Sequence, residues 1–101
     1  MRAITVHELK GVLDSGAAVV IDVREPDEFA QGHVPGARLA PLQTVPTLVG
    51  QLPPDQPVYL VCAVGSRSAQ AATYLAQHGV DAVNVDGGTS DWLGAGYPVE
   101  T

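Results

Sequence analysis

Two continuous apolar runs, AVVIDV at residues 18–23 and PVYLVC at residues 57–62, most constrain how this chain can fold. Strands solvated on one face alternate polar and apolar residues, whereas strands covered on both faces read as unbroken apolar runs. Each run precedes a segment with helical features, and DAVNV at residues 81–85 gives a third strand of the same kind. Strands that alternate with helices predict an α/β fold, in which a parallel sheet lies between two layers of helices.

Several shorter signals place the helices between these strands. TVHE is a capping box, in which the side chains of Thr5 and Glu8 bind free amides at a helix start, and Gly16 predicts the end of that helix. The stretch from Ser68 to His78 predicts a longer helix that Ser68 caps. The other predicted elements are short: a strand at Ile4, a helix at residues 25–32, a strand at residues 38–40, a helix at residues 44–52 and a brief helix after Gly87 and Gly88.

The charge balance excludes two classes of partner. The chain carries 11 Asp and Glu residues against 5 Lys and Arg residues, a formal net charge of −6. Nucleic acids and anionic membranes both bind clustered Lys and Arg, so we expect neither as a partner. No apolar run reaches the ~20 residues of a membrane span, and the N-terminus lacks the apolar core of a signal peptide. The length of 101 residues fits one domain, which we expect to span residues 1–101.

The chain has a single cysteine, Cys62. One cysteine excludes an internal disulfide, and Cys62 has no zinc-ligand spacing with His33 or His78, so we expect no metal site. A lone thiol stays reduced in the cytosol, and we therefore expect a cytoplasmic protein.

The loop that follows Cys62, AVGSR at residues 63–67, gives this thiol a chemical setting. Ligands of parallel sheets bind beyond the carboxyl ends of the strands, and Cys62 closes such a strand. Gly65 lets the backbone turn tightly, so that successive amides can point at the sulfur. The positive end of the following helix and the charge of Arg67 also favour the thiolate. Most lone cysteines are buried and inert, but this setting predicts a nucleophile.

Residues near the other strand ends carry weaker signals. Asp22 and Arg24 follow the first apolar run, and Glu28 lies four residues after Arg24, where it could pair with it. We expect this trio to brace the loops rather than to touch substrate. The remaining expectations are a turn-stabilising role for His33, core positions for Phe29 and Trp92, a hydrogen bond from Ser66 to a bound sulfur, and a loop beside the site at Asp86, Gly87 and Gly88.

Three stretches of the chain resemble the rhodanese family. CAVGSRS at residues 62–68 resembles the family's active-site loop, cysteine-x-x-glycine-x-arginine-serine. DVREPDEFAQGHVPGA at residues 22–37 and GGTSDWLGAGYPV at residues 87–99 resemble its two other signatures, in the same order and spacing. The resemblance covers nearly the whole chain. It implies a three-layer α/β/α fold with a five-stranded parallel sheet of strand order 3-2-4-5-1.

The resemblance also implies a sulfurtransferase that needs no metal and no cofactor. Cys62 corresponds to the family's nucleophile, which carries sulfur as a persulfide from thiosulfate or a persulfide donor to a thiol or cyanide acceptor. Because the chain has no second cysteine, the acceptor must come from outside, and a partner protein could supply or take the sulfur. The candidate substrate-binding residues are those of the loop: Ala63, Val64, Gly65, Ser66, Arg67 and Ser68.

Two alternatives to this activity stay open. Phosphatases and arsenate reductases of similar fold place five residues between cysteine and arginine, whereas four separate Cys62 from Arg67, which disfavours that class. Some rhodanese-like domains bind or regulate without turnover, and a sulfur carrier with little turnover on small donors lies between the two classes. The chain departs from the family at Leu39, where an asparagine is usual, and in its apolar Ala63 and Val64. Arg67 is therefore the only full positive charge in the loop.

Overall fold

The computed structural model describes residues 1–101 and contains one five-stranded parallel sheet. The spatial order is β1-β5-β4-β2-β3, which is the expected order 3-2-4-5-1 read from the opposite edge. The two long apolar runs form neighbouring central strands, as strands covered on both faces should. The strands are β1 (Arg2–Ile4), β2 (Val19–Asp22), β3 (Arg38–Leu39), β4 (Val58–Val61) and β5 (Ala82–Val85).

Helices connect the strands and cover both faces of the sheet. They are α1 (Val6–Asp14), α2 (Pro26–Ala30), a 3-10 helix (Leu42–Leu48), α3 (Ser66–Gln77) and α4 (Gly88–Gly94). The capping box predicted for α1 is present, because Thr5 Oγ1 accepts from the Glu8 amide and Glu8 Oε1 accepts from the Thr5 amide. None of these helices combines the length and the apolar character needed to cross a lipid bilayer.

The side chains of β4 alternate between two hydrophobic clusters. Leu60 and Cys62 belong to a cluster with α3 and the 3-10 helix, while Val61 belongs to a second cluster with α1 and α4. Each fully buried Val or Leu contributes on the order of 1.5–3 kcal/mol. The alternation sends the Cys62 side chain toward α3, so the start of that helix meets the sulfur.

Candidate active site

The sulfur of Cys62 lies just beyond the carboxyl end of β4 and is fully buried. The Gly65 amide donates to Cys62 Sγ over 3.1 Å, and the Ser68 hydroxyl lies 3.3 Å from the same atom, where it can donate as well. Hydrogen-bond donors that converge on one sulfur atom stabilise its thiolate form more than its thiol form. The geometry therefore suits a negatively charged sulfur at this position.

The loop reaches this shape because Gly65, the residue just before helix α3, has a positive φ of 109°. Helix α3 starts at Ser66, so the expectation that Ser68 caps it is wrong. Gly65 supplies a left-handed turn that residues with a side chain rarely adopt, and this turn starts the helix two residues earlier than expected. As a result Ser68 lies in the first turn, buried, with its hydroxyl toward Cys62. Ser66, which was expected to donate a hydrogen bond to a bound sulfur, is exposed.

Helix α4 holds the outer side of the same loop. The amides of Thr89 and Ser90 donate to the carbonyl oxygens of Cys62 and Ala63 over 2.8 Å and 2.9 Å. The approach is so close that a Cβ built on Gly88 would lie 2.3 Å from the Cys62 carbonyl oxygen. The paired glycines after β5 thus lie against the loop, as expected from the sequence, and they let α4 bind its backbone directly.

Two opposing effects set the acidity of the Cys62 thiol. Burial raises its pKa, but the hydrogen bond from the Ser68 side chain and those from the amides of Ser68, Gly65 and Val64 lower the pKa by more. The net result is a pKa below the ordinary value for cysteine. A larger thiolate fraction at neutral pH makes the sulfur a better nucleophile and a better leaving group.

An ion pair between Glu28 and Arg67 lies at the start of α3. Arg67 Nη1 and Nη2 donate to Glu28 Oε1 and Oε2 over 2.7 Å and 2.9 Å. Hydrogen bonding to Arg67 is the main cause that lowers the pKa of Glu28 to about 2. The expected pairing of Glu28 with Arg24 is therefore wrong, because Arg67, 39 residues further along the chain, reaches both carboxylate oxygens.

The fold and this loop have counterparts among known proteins. A sequence profile described as Rhodanese-like domain matches residues 5–95 of the chain. The chain belongs to the rhodanese-like family. Its rhodanese relatives include a protein named Sulfurtransferase from Allochromatium vinosum, 37% identical over 87 residues that cover 85% of this chain and 81% of the relative.

Two further known proteins are similar to this rhodanese-like chain. A protein named Thiosulfate sulfurtransferase GlpE from Pseudomonas putida is 42% identical over 85 residues, which cover 83% of this chain and 76% of the relative. The crystal structure of a Rhodanese-like Domain Protein from Staphylococcus aureus is 39% identical, with a TM-score of 0.87 and complete coverage of both chains. These likenesses support sulfurtransferase activity in general and name no substrate of this chain.

Asp22 and Arg24 form a buried ion pair near the end of β2 in this rhodanese-like chain. Arg24 Nη2 donates to Asp22 Oδ2 over 2.8 Å and to the Gly32 carbonyl oxygen over 2.9 Å. Both side chains are almost fully buried. Because removing either partner would leave a buried charge unpaired, this pair fits the bracing role expected for it.

The aromatic expectations are confirmed for one residue of two. Trp92 is buried in the cluster beneath α1 and α4, whereas Phe29 is only half-buried and stacks on His33 with ring centroids 3.6 Å apart. His33 also places Nδ1 2.9 Å from the Phe29 carbonyl oxygen and pairs its backbone with Glu100, so it stabilises the local chain.

No group of three or more His, Cys, Asp or Glu residues could hold a metal ion.

Asn84 on β5 is a site residue that sequence reasoning missed. Its Nδ2 donates to Asp86 Oδ1 over 2.9 Å and lies 3.4 Å from the Gly65 carbonyl oxygen, behind the loop. The only signal for it in the sequence is a polar residue inside an otherwise apolar predicted strand. Because a buried amide needs hydrogen-bond partners, such a residue indicates neighbouring polar backbone, which here is the loop.

Replacing Ser68 with alanine should slow alkylation of Cys62 at neutral pH by at least about threefold, because a hydrogen bond to an ionised sulfur is lost. The pKa of Cys62 is lowered partly by this hydroxyl, so its removal moves the alkylation midpoint to higher pH. The pH profile of iodoacetamide alkylation measures the change. Ser66→Ala is the matched control, since this exposed hydroxyl does not contact Sγ. An equal shift in both variants would contradict the assignment of Ser68.

Proposed function

We propose that this chain is a sulfurtransferase that carries a sulfane sulfur as a persulfide on Cys62. The observation that supports it most is the convergence of the Gly65 amide and the Ser68 hydroxyl on Cys62 Sγ, within a loop of four residues between Cys62 and Arg67. The relatives named as sulfurtransferases, which are 37% and 42% identical to this chain, support the same chemistry.

The proposed reaction is two successive displacements at sulfur. The Cys62 thiolate attacks the outer sulfur of the donor, a new S–S bond forms, and the donor's S–S bond breaks. The leaving group is sulfite when the donor is thiosulfate, or a thiolate when the donor is a persulfide. An external thiolate or cyanide then attacks the outer sulfur of the Cys62 persulfide and releases the Cys62 thiolate. The amides of Val64, Gly65 and Ser68 stabilise the anionic sulfur in each resting form.

A persulfide suits this site better than thiosulfate as the donor. Thiosulfate is a dianion, whereas the chain has a net charge of −6. The one cation of the loop, Arg67, is already paired with Glu28. The loop presents the apolar side chains of Ala63 and Val64, and Val64 is 63% exposed. An organic persulfide brings less charge to the sulfur and more apolar surface to these side chains.

We therefore expect kcat/KM for glutathione persulfide to exceed that for thiosulfate by at least about tenfold, or about 1.4 kcal/mol. Both donors are compared with the same acceptor at the same salt concentration. Mass spectrometry of the protein after each donor should show the gain of one sulfur atom at Cys62. Equal or better use of thiosulfate would contradict the donor preference, and the absence of any sulfur on Cys62 would contradict the proposed function.

These measurements separate the proposal from two alternatives, and an assay of phosphate-ester hydrolysis separates it from a third. A sulfur carrier dedicated to one partner protein would gain sulfur on Cys62 but turn over slowly with small acceptors, and a binding module would gain none. A phosphatase would hydrolyse phosphate esters, for which the loop of four residues after Cys62 is short. We place the protein in the cytoplasm, where a lone thiol remains reduced.

A further inference from the structure

The basic side chains of this protein are almost all engaged by carboxylates. Arg67 and Arg24 each make short contacts with an acidic partner, Glu28 and Asp22. Arg38 lies on β3, the edge strand, two strands away from β4. The remaining pairs are Arg2 with Asp81 and Lys10 with Asp14. An anion at this site would therefore meet backbone amides and a hydroxyl, but no unpaired cationic side chain beside Cys62.

The ion pair of Glu28 and Arg67 has a geometry that competes with a bound anion. The two terminal nitrogens of Arg67 are occupied by the two oxygens of Glu28, an arrangement that an incoming sulfonate oxygen pair would otherwise take. Both side chains are about one-third exposed, so solvent and small solutes can reach the pair. The hydrogen bonds to Glu28 are the main cause that raises the pKa of Arg67, and the negative charge of the Cys62 thiolate raises it further.

We propose that Glu28 determines donor choice by occupying Arg67, so that organic persulfides are accepted and donors with a sulfonate beside the transferred sulfur, such as thiosulfate, are disfavoured. Glu28 is thus a positioning residue that acts through Arg67. The inference rests on the proposed sulfur transfer through Cys62. It adds that one carboxylate on α2 contributes most of the selectivity against thiosulfate, beyond the effect of the net charge of the whole protein.

The test compares Glu28→Gln with a matched control, Asp27→Asn. Both substitutions change the net charge by the same amount, and both residues lie on α2, but Asp27 is exposed and makes no contact with Arg67. Glutamine at position 28 keeps an oxygen for the Glu25 amide, which Glu28 Oε1 now binds over 3.0 Å, so α2 keeps its cap. Glu28→Ala removes the same charge and serves as a second variant should the glutamine variant fail to fold.

In Glu28→Gln, kcat/KM for thiosulfate should rise about tenfold through a lower KM, because a freed guanidinium can form charge-assisted hydrogen bonds with the dianion. The value for glutathione persulfide should change by less than about threefold, and Asp27→Asn should leave the ratio of the two donors unchanged. Adding Arg67→Ala to Glu28→Gln should remove the gain. Glu28→Asp, which keeps the charge, should keep a ratio close to that of the wild type.

Three results would overturn the inference: an unchanged donor ratio in a folded Glu28→Gln protein, an equal rise in Asp27→Asn, or a gain that persists without Arg67. These results differ from a failure of the proposed function. If Cys62 takes sulfur from no donor in the wild type, sulfur transfer itself is wrong. If the wild type transfers sulfur but substitution of Glu28 leaves the ratio of kcat/KM for the two donors unchanged, only the role of Glu28 is wrong.

Discussion

Replacing Cys62 with serine should reduce sulfur transfer by at least about a thousandfold, or ~4 kcal/mol of activation free energy. A serine hydroxyl stays protonated at neutral pH and is a poor nucleophile without a dedicated base. The chain has no second cysteine that could replace it. Formation of thiocyanate from thiosulfate or glutathione persulfide and cyanide measures the loss.

The fold should survive this substitution with little change. Serine is smaller than cysteine, and its hydroxyl finds the partners that Sγ now has, the Gly65 amide and the Ser68 hydroxyl. Circular dichroism and the melting temperature provide the control. A folded Cys62→Ser protein that retains a substantial share of the wild-type rate would rule out a Cys62 persulfide as the carrier.

Replacing Gly88 with alanine should destabilise the protein by about 3 kcal/mol and lower sulfur transfer about a hundredfold. Gly88 has a φ of 55°, and the added Cβ would lie 2.3 Å from the carbonyl oxygen of Cys62 and 2.8 Å from that of Ala63. Both obstacles are backbone atoms, so no side chain can rotate away. The loop and α4 must separate, which breaks the hydrogen bonds from Thr89 and Ser90. Chemical denaturation and the thiocyanate assay measure the two effects.

Gly94→Ala is the matched control for this prediction. Gly94 lies in the same helix, and a Cβ there meets no atom within 4 Å. Alanine is a better helix former than glycine, so this variant should be as stable as the wild type or more stable by about 0.5–1 kcal/mol. Similar losses in both variants would mean that α4, rather than its contact with the Cys62 loop, is sensitive to substitution.

The sequence predicts the sheet well because the relevant signals are local. The unbroken apolar runs of β2 and β4 and the capping box of Thr5 and Glu8 each depend on residues within one element. The strand order is not local and came from the resemblance of three motifs to the rhodanese family. The order then brings the ends of β4 and β5 together, which places Gly88 against the loop.

The contacts that surround the sulfur were harder to predict because they depend on small shifts and on distant partners. The start of α3 at Ser66 rather than at Ser68 exchanges the roles of the two serines, and the sequence contains no signal that decides between these starts. Glu28 meets Arg67 across 39 positions, whereas its spacing from Arg24 suggested a nearer partner. Both errors concern the hydrogen-bond geometry of the site and leave the position of Cys62 unaffected.

The contact between α4 and the Cys62 loop has a consequence for metal ions. The carbonyl oxygens of Cys62 and Ala63 are turned outward to the amides of Thr89 and Ser90, and the hydrogen of the Gly65 amide is turned inward to the sulfur. A soft cation binds a thiolate through a free lone pair, preferably with other electron-rich ligands beside it. Around this sulfur the neighbouring groups are the Gly65 amide and the Ser68 hydroxyl, and no group of three or more His, Cys, Asp or Glu residues could supply the further ligands. The peptide groups of the loop thus stabilise the Cys62 thiolate through hydrogen bonds, without a set of metal ligands around it.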